Sequence, residues 1–400
     1  MNDAPSPHHP FDVAVIGGGP AGLVAAIALA LAGAATALLA RRIPYTDNRT
    51  TALLGQSIDL LDTLEVWPRC RDSAAPLRVM RLIDDTGRLI RAPEVRFTSD
   101  EIGRDAFGYN IENRILVAAL EARAAELSNL TRFDDEAHTV TPQDDAIHIG
   151  TRQGRTLTAR LVVGAEGRHS ISREAAGIDV SRRALAQTAL TFNVAHTRPH
   201  HDASTEFHTV NGPCVFVPLP GARSSVVWVT SPAEAERLKQ LGDNDLAFAA
   251  EQRAHSILGR MRIEGGRNTF PLAFERPRRF AMQRVVLVGE AAHVLPPIGA
   301  QGLNMGLRDA ADIAAIVGEA LARHDDPGAP AVLSRFERAR WADVNSRTFM
   351  IDLANRSLLS DLLPLHMLRA AGMHLLGHVG PLRRLAMREG LAPSWRSDSR

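Results

Sequence analysis

Apolar residues near the start of the chain form three runs of different character. Residues 11–16 are rich in β-forming residues, residues 20–31 form a run of helical length, and residues 35–40 form a second short run. This order predicts a strand, a helix and a second strand, the start of a βαβ unit. The largely apolar stretch 21–40 also has the length of a membrane span. We reject the span because the stretch follows a glycine motif, is mostly alanine and is split at Gly33.

The rest of the chain alternates between helical and strand-like patterns. Residues 50–64 carry leucine and isoleucine at helical spacing, whereas residues 77–97 alternate apolar and polar positions, as in a β-hairpin. Later patterns predict a helix at 113–127, a strand at 161–165, antiparallel strands at 186–231, helices at 232–255, a strand at 285–288, and long helices at 301–323 and 328–358. Antiparallel strands are therefore expected in the middle of the chain.

Composition and charge narrow the classes of function. Of the 400 residues, 45% are hydrophobic and 23% charged, which is ordinary for a globular protein and sufficient for two compact lobes. A formal net charge of +1 gives no field that attracts nucleic acid, so no nucleic-acid partner is expected. Cys70 and Cys214 are far apart and outside any CxxC spacing, which predicts two buried thiols, no metal site, no disulfide and a reducing compartment.

The first glycine motif follows the first predicted strand. Gly17, Gly19 and Gly22 form a G-x-G-x-x-G pattern in which the first glycine permits a tight turn, the second admits a pyrophosphate, and the third lets the helix approach the sheet. The positive end of the helix then faces the phosphate charge. The strand, turn and helix context favours dinucleotide binding over a purely structural glycine turn.

One element of the dinucleotide pattern is missing. The second strand should end in an acidic residue that holds the adenosine ribose. Ala40 stands there instead, followed by Arg41 and Arg42, so the sequence does not say how a ribose is held. Arg41 is a candidate for contact with the diphosphate or with adenine, and a solvated basic turn is the alternative.

Two further glycine motifs follow, at 163–173 (VGAEGRHSISR) and 288–306 (VGEAAHVLPPIGAQGLNMG). In this order the three motifs resemble those of the single-component flavin monooxygenases related to para-hydroxybenzoate hydroxylase. The aspartates of the family's second and third motifs are Glu166 and Glu290 here. The resemblance implies that Glu166 supports the loop near the flavin diphosphate and that Glu290 binds the ribityl chain, with structural ion pairs as the alternative. It also implies that Arg173 lies near the diphosphate.

Within this superfamily the sequence resembles the ubiquinone-biosynthesis hydroxylases (UbiH/UbiF/UbiL type). The resemblance rests on the third motif and on three shorter segments, 47–53 (DNRTTAL), 112–114 (ENR) and 352–356 (DLANR). It implies that Arg49 and either Asn113 or Arg114 contact the diphosphate or ribityl chain, with surface salt bridges as the alternative. The implied cofactor-binding residues are Gly17, Gly19, Gly22, Arg41, Arg49, Asn113, Arg114, Glu166, Gly167, Gly289, Glu290, Gly299, Ala300, Gln301, Gly302, Leu303 and Asn304.

The third motif also predicts how the flavin is tuned. Gly299–Gly302 supplies flexible backbone ahead of a helix expected to begin near Leu303, so amides and the helix dipole can face the ring edge where charge accumulates on reduction. His293 is expected to order the loop of Pro296 and Pro297, which would position the substrate ring, rather than to act as an acid or base. No catalytic residue is assigned.

The resemblance implies an α/β fold of the para-hydroxybenzoate-hydroxylase type, with α+β character in the substrate lobe. A Rossmann-like GR2 lobe that binds FAD is expected from residues 11–76, 112–185 and 282–345. An inserted antiparallel substrate lobe is expected from residues 77–111 and 186–281. Residues 346–400 are expected to be helical, and residues 1–10 to form a flexible tail rather than a signal peptide, which favours the cytoplasm.

The implied function is hydroxylation of the ring of a polyprenylated phenol in ubiquinone biosynthesis. NAD(P)H, bound transiently, would reduce FAD, and O₂ would then form a flavin C4a-hydroperoxide that transfers one oxygen. Two alternatives stay open: an FAD-dependent reductase of an isoprenoid substrate, and a non-catalytic flavin-binding scaffold in a multi-enzyme assembly for ubiquinone biosynthesis. Halogenases are excluded because no two of the four tryptophans are two residues apart.

The C-terminal region predicts peripheral contact with the inner face of the cell membrane. Residues 349–386 mix leucine, methionine and phenylalanine with arginines, which suits an amphipathic surface but is too interrupted for a span. Simple packing of this region onto the core explains the same composition.

Overall fold

The computed structural model describes residues 10–42, 48–87, 91–359, 372, 374 and 380–391. Nearly all of the predicted tail and much of the region 360–400 lie outside these residues, as does Asp47. Within the described residues, no helix is long and apolar enough to cross a membrane.

The βαβ unit predicted at the start of the chain is confirmed. It consists of β1 (Phe11–Ile16), α1 (Pro20–Leu31) and β2 (Thr36–Leu39), and β1 and β2 are parallel.

The first sheet is mixed, with a parallel centre. Its strands run in the order β17 (Ala281–Met282), β18 (Val285–Leu287), β11 (Thr156–Gly164), β1, β2 and β8 (Leu130–Phe133). β1, β2, β8, β11 and β18 are parallel, whereas β9 (Ala137–Pro142) and β10 (Ile147–Thr151) extend the sheet from β11 as antiparallel strands. Because both faces of its centre are covered, β1 and β2 are almost wholly buried.

Helices from distant parts of the chain form layers beside the first sheet. α1 and α8 (Pro330–Leu359) pack on its strands, and α3 (Asn113–Ala124) and α7 (Gln301–Ala322) pack on α1. Gly318 makes one of these contacts possible, since a Cβ there would lie 3.1 Å from the Cβ of Ala32. α4 (Ile171–Ala175) begins after Ser170, whose hydroxyl accepts a hydrogen bond from the backbone N–H of Arg173.

The second sheet is largely antiparallel. Its order is β16 (Met261–Pro277), β12 (Val180–His196), β15 (Arg223–Thr230), β14 (Gly212–Leu219), β13 (Ala203–Thr209), β5 (Val79–Asp84) and β6 (Val95–Thr98), and only β13 and β5 are parallel. One face packs on α5 (Pro232–Gln240) and α6 (Asp243–Arg253), with Phe192, Phe207, Phe216 and Trp228 in the core between them. We call the opposite face the front face.

A third sheet lies between the two larger ones. It contains β3 (Thr50–Leu54), β7 (Gly108–Glu112) and β4 (Ala75–Leu77), all antiparallel. β3 leads into α2 (Gly55–Thr63), and near this junction Met387 of α9 (Gly380–Leu391) packs on Leu54 and Phe107. The α/β fold with an antiparallel second sheet is therefore confirmed, whereas the exact boundaries of the two lobes stay a prediction.

One local prediction is wrong, and one strand is not predicted. The helix expected at 50–64 begins only at Gly55, because Thr50–Leu54 pairs with β7 as a strand. The sequence analysis assigns no element to 261–277, and β16 lies there. Its polar and glycine-containing sequence has a strand conformation because it pairs along β12.

The two cysteines, Cys70 and Cys214, are free and buried, as predicted. Burial raises the pKa of Cys70 to about 11.

A buried charge cluster joins the third glycine motif to α7 and α8. The guanidinium of Arg340, 1% exposed, lies 2.6 Å from Asp309, 2.9 Å from Asp312 and 2.9 Å from Asp343. Asp309 also accepts hydrogen bonds from the backbone N–H of Gly289 (2.9 Å) and lies 2.7 Å from Nε2 of His293. Burial opposes ionisation of Asp309, but Arg340 and His293 outweigh it and hold its pKa below the ordinary value.

Replacing Arg340 with methionine should lower the free energy of unfolding by about 3–5 kcal/mol, because three carboxylates then lose their shared cation. The matched control is Arg335→Met on the same helix, since its pair with Glu319 is exposed and should be worth less than about 1 kcal/mol. Urea denaturation of both variants measures the difference.

The loss of unfolding free energy in Arg340→Met should also depend on pH. Because the pKa of Asp309 is lowered in the folded protein, the stabilisation is present above the ordinary aspartate pKa, about 3.9. It is lost as the pH falls through the lowered value. The gap in stability between the wild type and Arg340→Met should therefore narrow on acidification. A gap that stays constant from neutral to strongly acidic pH would contradict this assignment of the interaction.

Candidate active site

A cleft of about 1620 Å³ runs between the first sheet and the front face of the second. All three glycine motifs contribute to its wall, although they are separated by more than 100 residues in the sequence. The turn between β1 and α1 lies at the carboxyl end of the parallel strands, where open α/β sheets bind their ligands. Every predicted cofactor residue lines the cleft except Gln301 and Asn304.

Gly17 and Gly22 are required by the fold itself. Gly17 has a φ of 119°, and a Cβ there would lie 2.4 Å from the carbonyl oxygen of Ala165. A Cβ on Gly22 would lie 2.1 Å from the carbonyl oxygen of Gly17. The first contact joins the first motif to the second, and the other lies within the first motif. Both positions therefore need glycine whether or not a ligand is bound.

Gly19 is different, because none of the described residues requires glycine there. Its φ of −72° and ψ of 170° suit any residue, and no atom of the described residues lies within 4 Å of a Cβ built on it. That open space is the cleft, and no side chain caps the first turn of α1, which begins at Pro20. Free backbone N–H groups beside an open glycine suit a diphosphate, so the residues present fit a dinucleotide such as FAD.

Glu166 of the second motif is held by its own loop. Its carboxylate accepts hydrogen bonds from the hydroxyl of Ser170 (2.9 Å), from the backbone N–H of Ser172 (2.9 Å) and from the hydroxyl of Ser172. Burial raises the pKa of Glu166 in spite of these donors. Arg173 lies behind the cleft wall and donates to the carbonyls of Ala291 (3.0 Å) and Arg168 (2.6 Å), so it ties the second motif to the third.

The third motif divides into exposed and buried parts. Glu290 reaches into the cleft with 62% of its side chain exposed, and lies 3.8 Å from Arg168. His293 is buried against Asp309 and does not line the cleft, which agrees with a structural role in ordering its loop. Of the two prolines predicted to position a substrate, Pro297 lines the cleft and Pro296 is buried beside it.

The start of α7 is reached through two left-handed residues, Gly299 (φ 65°) and Ala300 (φ 53°). α7 begins at Gln301 rather than near Leu303 as predicted. The amide of Asn304 donates to the carbonyls of Ala52 (2.8 Å) and Ala300 (2.6 Å). Its oxygen accepts from the N–H of Leu54 (2.9 Å) and the hydroxyl of Ser57 (2.6 Å). Asn304 therefore fastens this loop to β3 and the start of α2.

Four further predicted residues line the cleft and have protein partners. Nε of Arg41 lies 2.8 Å from Glu136, Nε of Arg114 lies 2.6 Å from Glu112, and the guanidinium of Arg49 lies 5.3 Å from the ring centre of Phe270. The amide oxygen of Asn113 accepts a hydrogen bond from Thr51 (2.5 Å).

The missing acidic residue at Ala40 has a neighbour in the next strand. β2 and β8 pair in register from Thr36 and Leu130 to Leu39 and Phe133, so the residues after Phe133 lie beside Ala40. Those residues are acidic, and Asp135 and Glu136 line this end of the cleft. The sequence could not reveal them, because the neighbour of β2 is known only once the sheet order is known.

The opposite wall of the cleft was missed by sequence reasoning. Val215, Val217 and Val227 of the front face line it, together with Glu206. Glu206 pairs in register with Val215, and its carboxylate lies 2.9 Å from Nε2 of His208. Both polar side chains are largely buried, with 16% and 14% exposed. Alternation along 203–230 separates the two faces, but it does not say which face meets the cofactor.

The described residues contain no group of three or more histidine, cysteine, aspartate or glutamate side chains that could hold a metal ion. The cleft therefore combines glycine turns that suit a dinucleotide with an apolar wall that carries the carboxylate of Glu206.

Comparison with known proteins agrees with this geometry. The FAD binding domain family matches residues 10–342. The chain is 32% identical to ubiquinone hydroxylase UbiL of Rhodospirillum rubrum, over 95% of this chain and 89% of that protein. It is 28% identical to 3-demethoxyubiquinol 3-hydroxylase of Escherichia coli, over 96% and 99% of the two chains.

Its fold is similar to that of p-nitrophenol 4-monooxygenase from Pseudomonas putida, with a TM-score of 0.78, 20% identity, and coverage of 95% and 98%. The family match spans the glycine motifs that meet in the cleft, and the relatives match along nearly the whole chain. The chain therefore belongs to the FAD binding domain family, among the ubiquinone-biosynthesis hydroxylases, and is an FAD-dependent monooxygenase.

Proposed function

We propose that this enzyme hydroxylates the ring of a polyprenylated phenol on the route to ubiquinone. The observation that carries the proposal is the single cleft that joins the glycine turns to the apolar front face of the second sheet. When bound, FAD takes electrons from NAD(P)H and activates O₂, and the protein supplies binding and orientation. The names of the relatives support a quinone precursor as the substrate.

The predicted cofactor residues then have different tasks. Gly17 and Gly22 shape the turn between β1 and α1, and Gly19 admits the diphosphate. Glu166 fixes the loop of the second motif, which lies against that turn. Gly302 resembles Gly19, since in the described part of the chain no atom lies within 4 Å of a Cβ built there. Asp135 and Glu136, beside Ala40, are the carboxylates proposed to hold the adenosine ribose, and Glu136 also pairs with Arg41.

Apolar side chains suit a substrate with an isoprenoid tail. Beyond the three front-face valines, the cleft is lined by Leu54, Leu77, Met80 and Phe107. Burial of a tail on such a surface yields about 25 cal/mol per Å², which can be used to position the ring and exclude water.

Glu206 is the group proposed to accept the phenol proton. A phenolate is more electron-rich than a phenol and reacts more readily with an electrophilic oxygen. The carboxylate lies on the cleft wall, and His208 at 2.9 Å can share the proton that it receives.

Contact with the membrane is proposed to be peripheral. Phe349, Met350 and Leu353 lie near the end of the described part of α8 with 50–65% of each residue exposed. Much of the region 349–386 lies outside the described residues, so these three side chains support the proposal only for the start of that region.

Salt or mild detergent should release any membrane-bound fraction of the protein. A requirement for strong detergent would contradict the proposal.

Gly19→Val should abolish retention of FAD while the apoprotein stays folded, because the new side chain enters only the cleft. Gly22→Ala should instead destabilise the apoprotein, because its methyl group meets the backbone of Gly17. Flavin content and thermal unfolding of the two apoproteins measure the contrast. Normal FAD binding by folded Gly19→Val protein would show that the diphosphate lies elsewhere.

A polyprenylated phenol should stimulate oxidation of NAD(P)H and gain one oxygen atom from O₂. A phenol without the tail should show more uncoupled hydrogen peroxide and less product, because tail burial positions the ring. Mass spectrometry of products formed under ¹⁸O₂ decides the outcome. We expect ¹⁸O label in the ring hydroxyl. A reduced isoprenoid product would instead indicate the FAD-dependent reductase. NAD(P)H oxidation that does not respond to the phenol would indicate the non-catalytic scaffold.

Glu206→Gln should lower the rate of hydroxylation by about 10²–10⁴-fold near neutral pH, the usual contribution of a general base. The rate should recover as the pH rises toward the phenol pKa, about 10, because the substrate then ionises in solution. Flavin reduction measured in single turnover should change little. The control is Glu94→Gln, an exposed glutamate paired with Arg81 outside the cleft. Equal pH profiles for Glu206→Gln and the wild type would refute the role.

A further inference from the structure

The loop before α7 holds a residue in an unfavourable conformation. Gly299 and Ala300 are both left-handed, at φ 65° and 53°, and both line the cleft. The conformation suits glycine, but Ala300 has a Cβ that disfavours it. A strained residue in a binding loop persists only when surrounding contacts hold it there.

Two of the contacts come from the first turn of α7. The amide nitrogen of Gln301 donates to the carbonyl of Gly299 at 3.1 Å, and the amide nitrogen of Asn304 donates to the carbonyl of Ala300 at 2.6 Å. Asn304 is fixed by β3 and α2 as described above. Gln301 is fixed from the other side, since its amide oxygen accepts a hydrogen bond from Arg347 of α8 at 2.9 Å.

Arg347 is itself held in place by the buried charge cluster. Its Nε lies 3.0 Å from one carboxylate oxygen of Asp343, and Arg308 and Arg340 each lie 2.9 Å from the other. Asp343 is fully buried and Arg347 is 11% exposed. A continuous path of charged and polar contacts therefore runs from the interior of α8 to the loop that faces the cleft.

We propose that Asp343 and Arg347 are positioning residues that act through Gln301 to hold Gly299 and Ala300 in the left-handed conformation against the bound flavin. The inference rests on the proposed placement of the flavin beside this loop. With the flavin beside this loop, the positive end of α7 and its first backbone amides would favour the negative charge of the reduced ring. The clamp should thus affect both FAD affinity and the flavin reduction potential.

Arg347→Met tests the clamp. Loss of a hydrogen bond from a charged donor should weaken FAD binding by roughly tenfold or more and shift the flavin potential to a more negative value. Titration of the apoprotein with FAD and spectroelectrochemistry of the holoenzyme measure the two effects without any substrate. Arg338→Met, an exposed arginine on the same helix, is the matched control and should change neither.

Ala300→Gly in the Arg347→Met protein gives the decisive comparison. Glycine adopts the left-handed conformation without a Cβ, so the double variant should regain most of the FAD affinity and potential. A general loss of packing around Arg347 would not be repaired by that change. Gln301→Leu breaks the path at its other end, and serves as the single variant if Arg347→Met does not fold.

Two results would overturn the proposal. One is an Arg347→Met or Gln301→Leu protein with reduced thermal stability but unchanged affinity and potential. The other is a double variant that Ala300→Gly does not restore. Because neither measurement involves a phenol or turnover, failure of the proposed substrate leaves this test intact, and failure here leaves the substrate assignment intact.

Discussion

The ion pair between Arg340 and Asp309 is the interaction on which the site depends most. Asp309 fixes the backbone of Gly289 and the ring of His293, so it sets the start of the third motif, while Arg340 ties it to α8. Two buried charges cost several kcal/mol each to desolvate, and this cost is offset only because each has several partners at hydrogen-bonding distance. Removing one partner leaves the others buried and uncompensated, which makes the cluster costly to break and keeps the loop in one position.

The cleft follows from two constraints of a different kind. On one side, the backbones of the first and second motifs touch through Gly17, Gly22 and Ala165, which leaves Gly19 as the open point of the turn. On the other side, the front face of the second sheet is opposite the face that α5 and α6 cover, and three of its valines line the cleft. Alternation along β13 and β14 then places Glu206 among valines on the front face. The cleft is thus polar where phosphates would lie and apolar where a ring and tail would lie.

The motif and wall residues fall into two groups, those with partners inside the protein and those that face the cleft. Glu166, His293 and Asn304 have hydrogen-bond partners inside the protein that hold the loops in shape. Gly19, Glu290 and Glu206 face the cleft, where they are available to cofactor or substrate. The motif residues that are most distinctive in the sequence are therefore divided between building the site and contacting what it binds. A binding loop held by buried neighbours needs little reorganisation when the reaction occurs.

The sequence by itself determined many of the elements and, through the resemblance of its three glycine motifs to a known family, the cofactor. The βαβ start, the long helix after the third motif and the three glycine motifs are local patterns, because helix periodicity and tight turns depend on neighbouring residues. Tertiary structure decided what depends on partners far along the chain. Thr50–Leu54 is a strand because β7 lies beside it, and β16 exists because β12 pairs with it. Glu206, Asp135 and Arg347 join the site only through sheet order and helix packing. No local pattern records these contacts, because they form between segments that meet only when the chain folds.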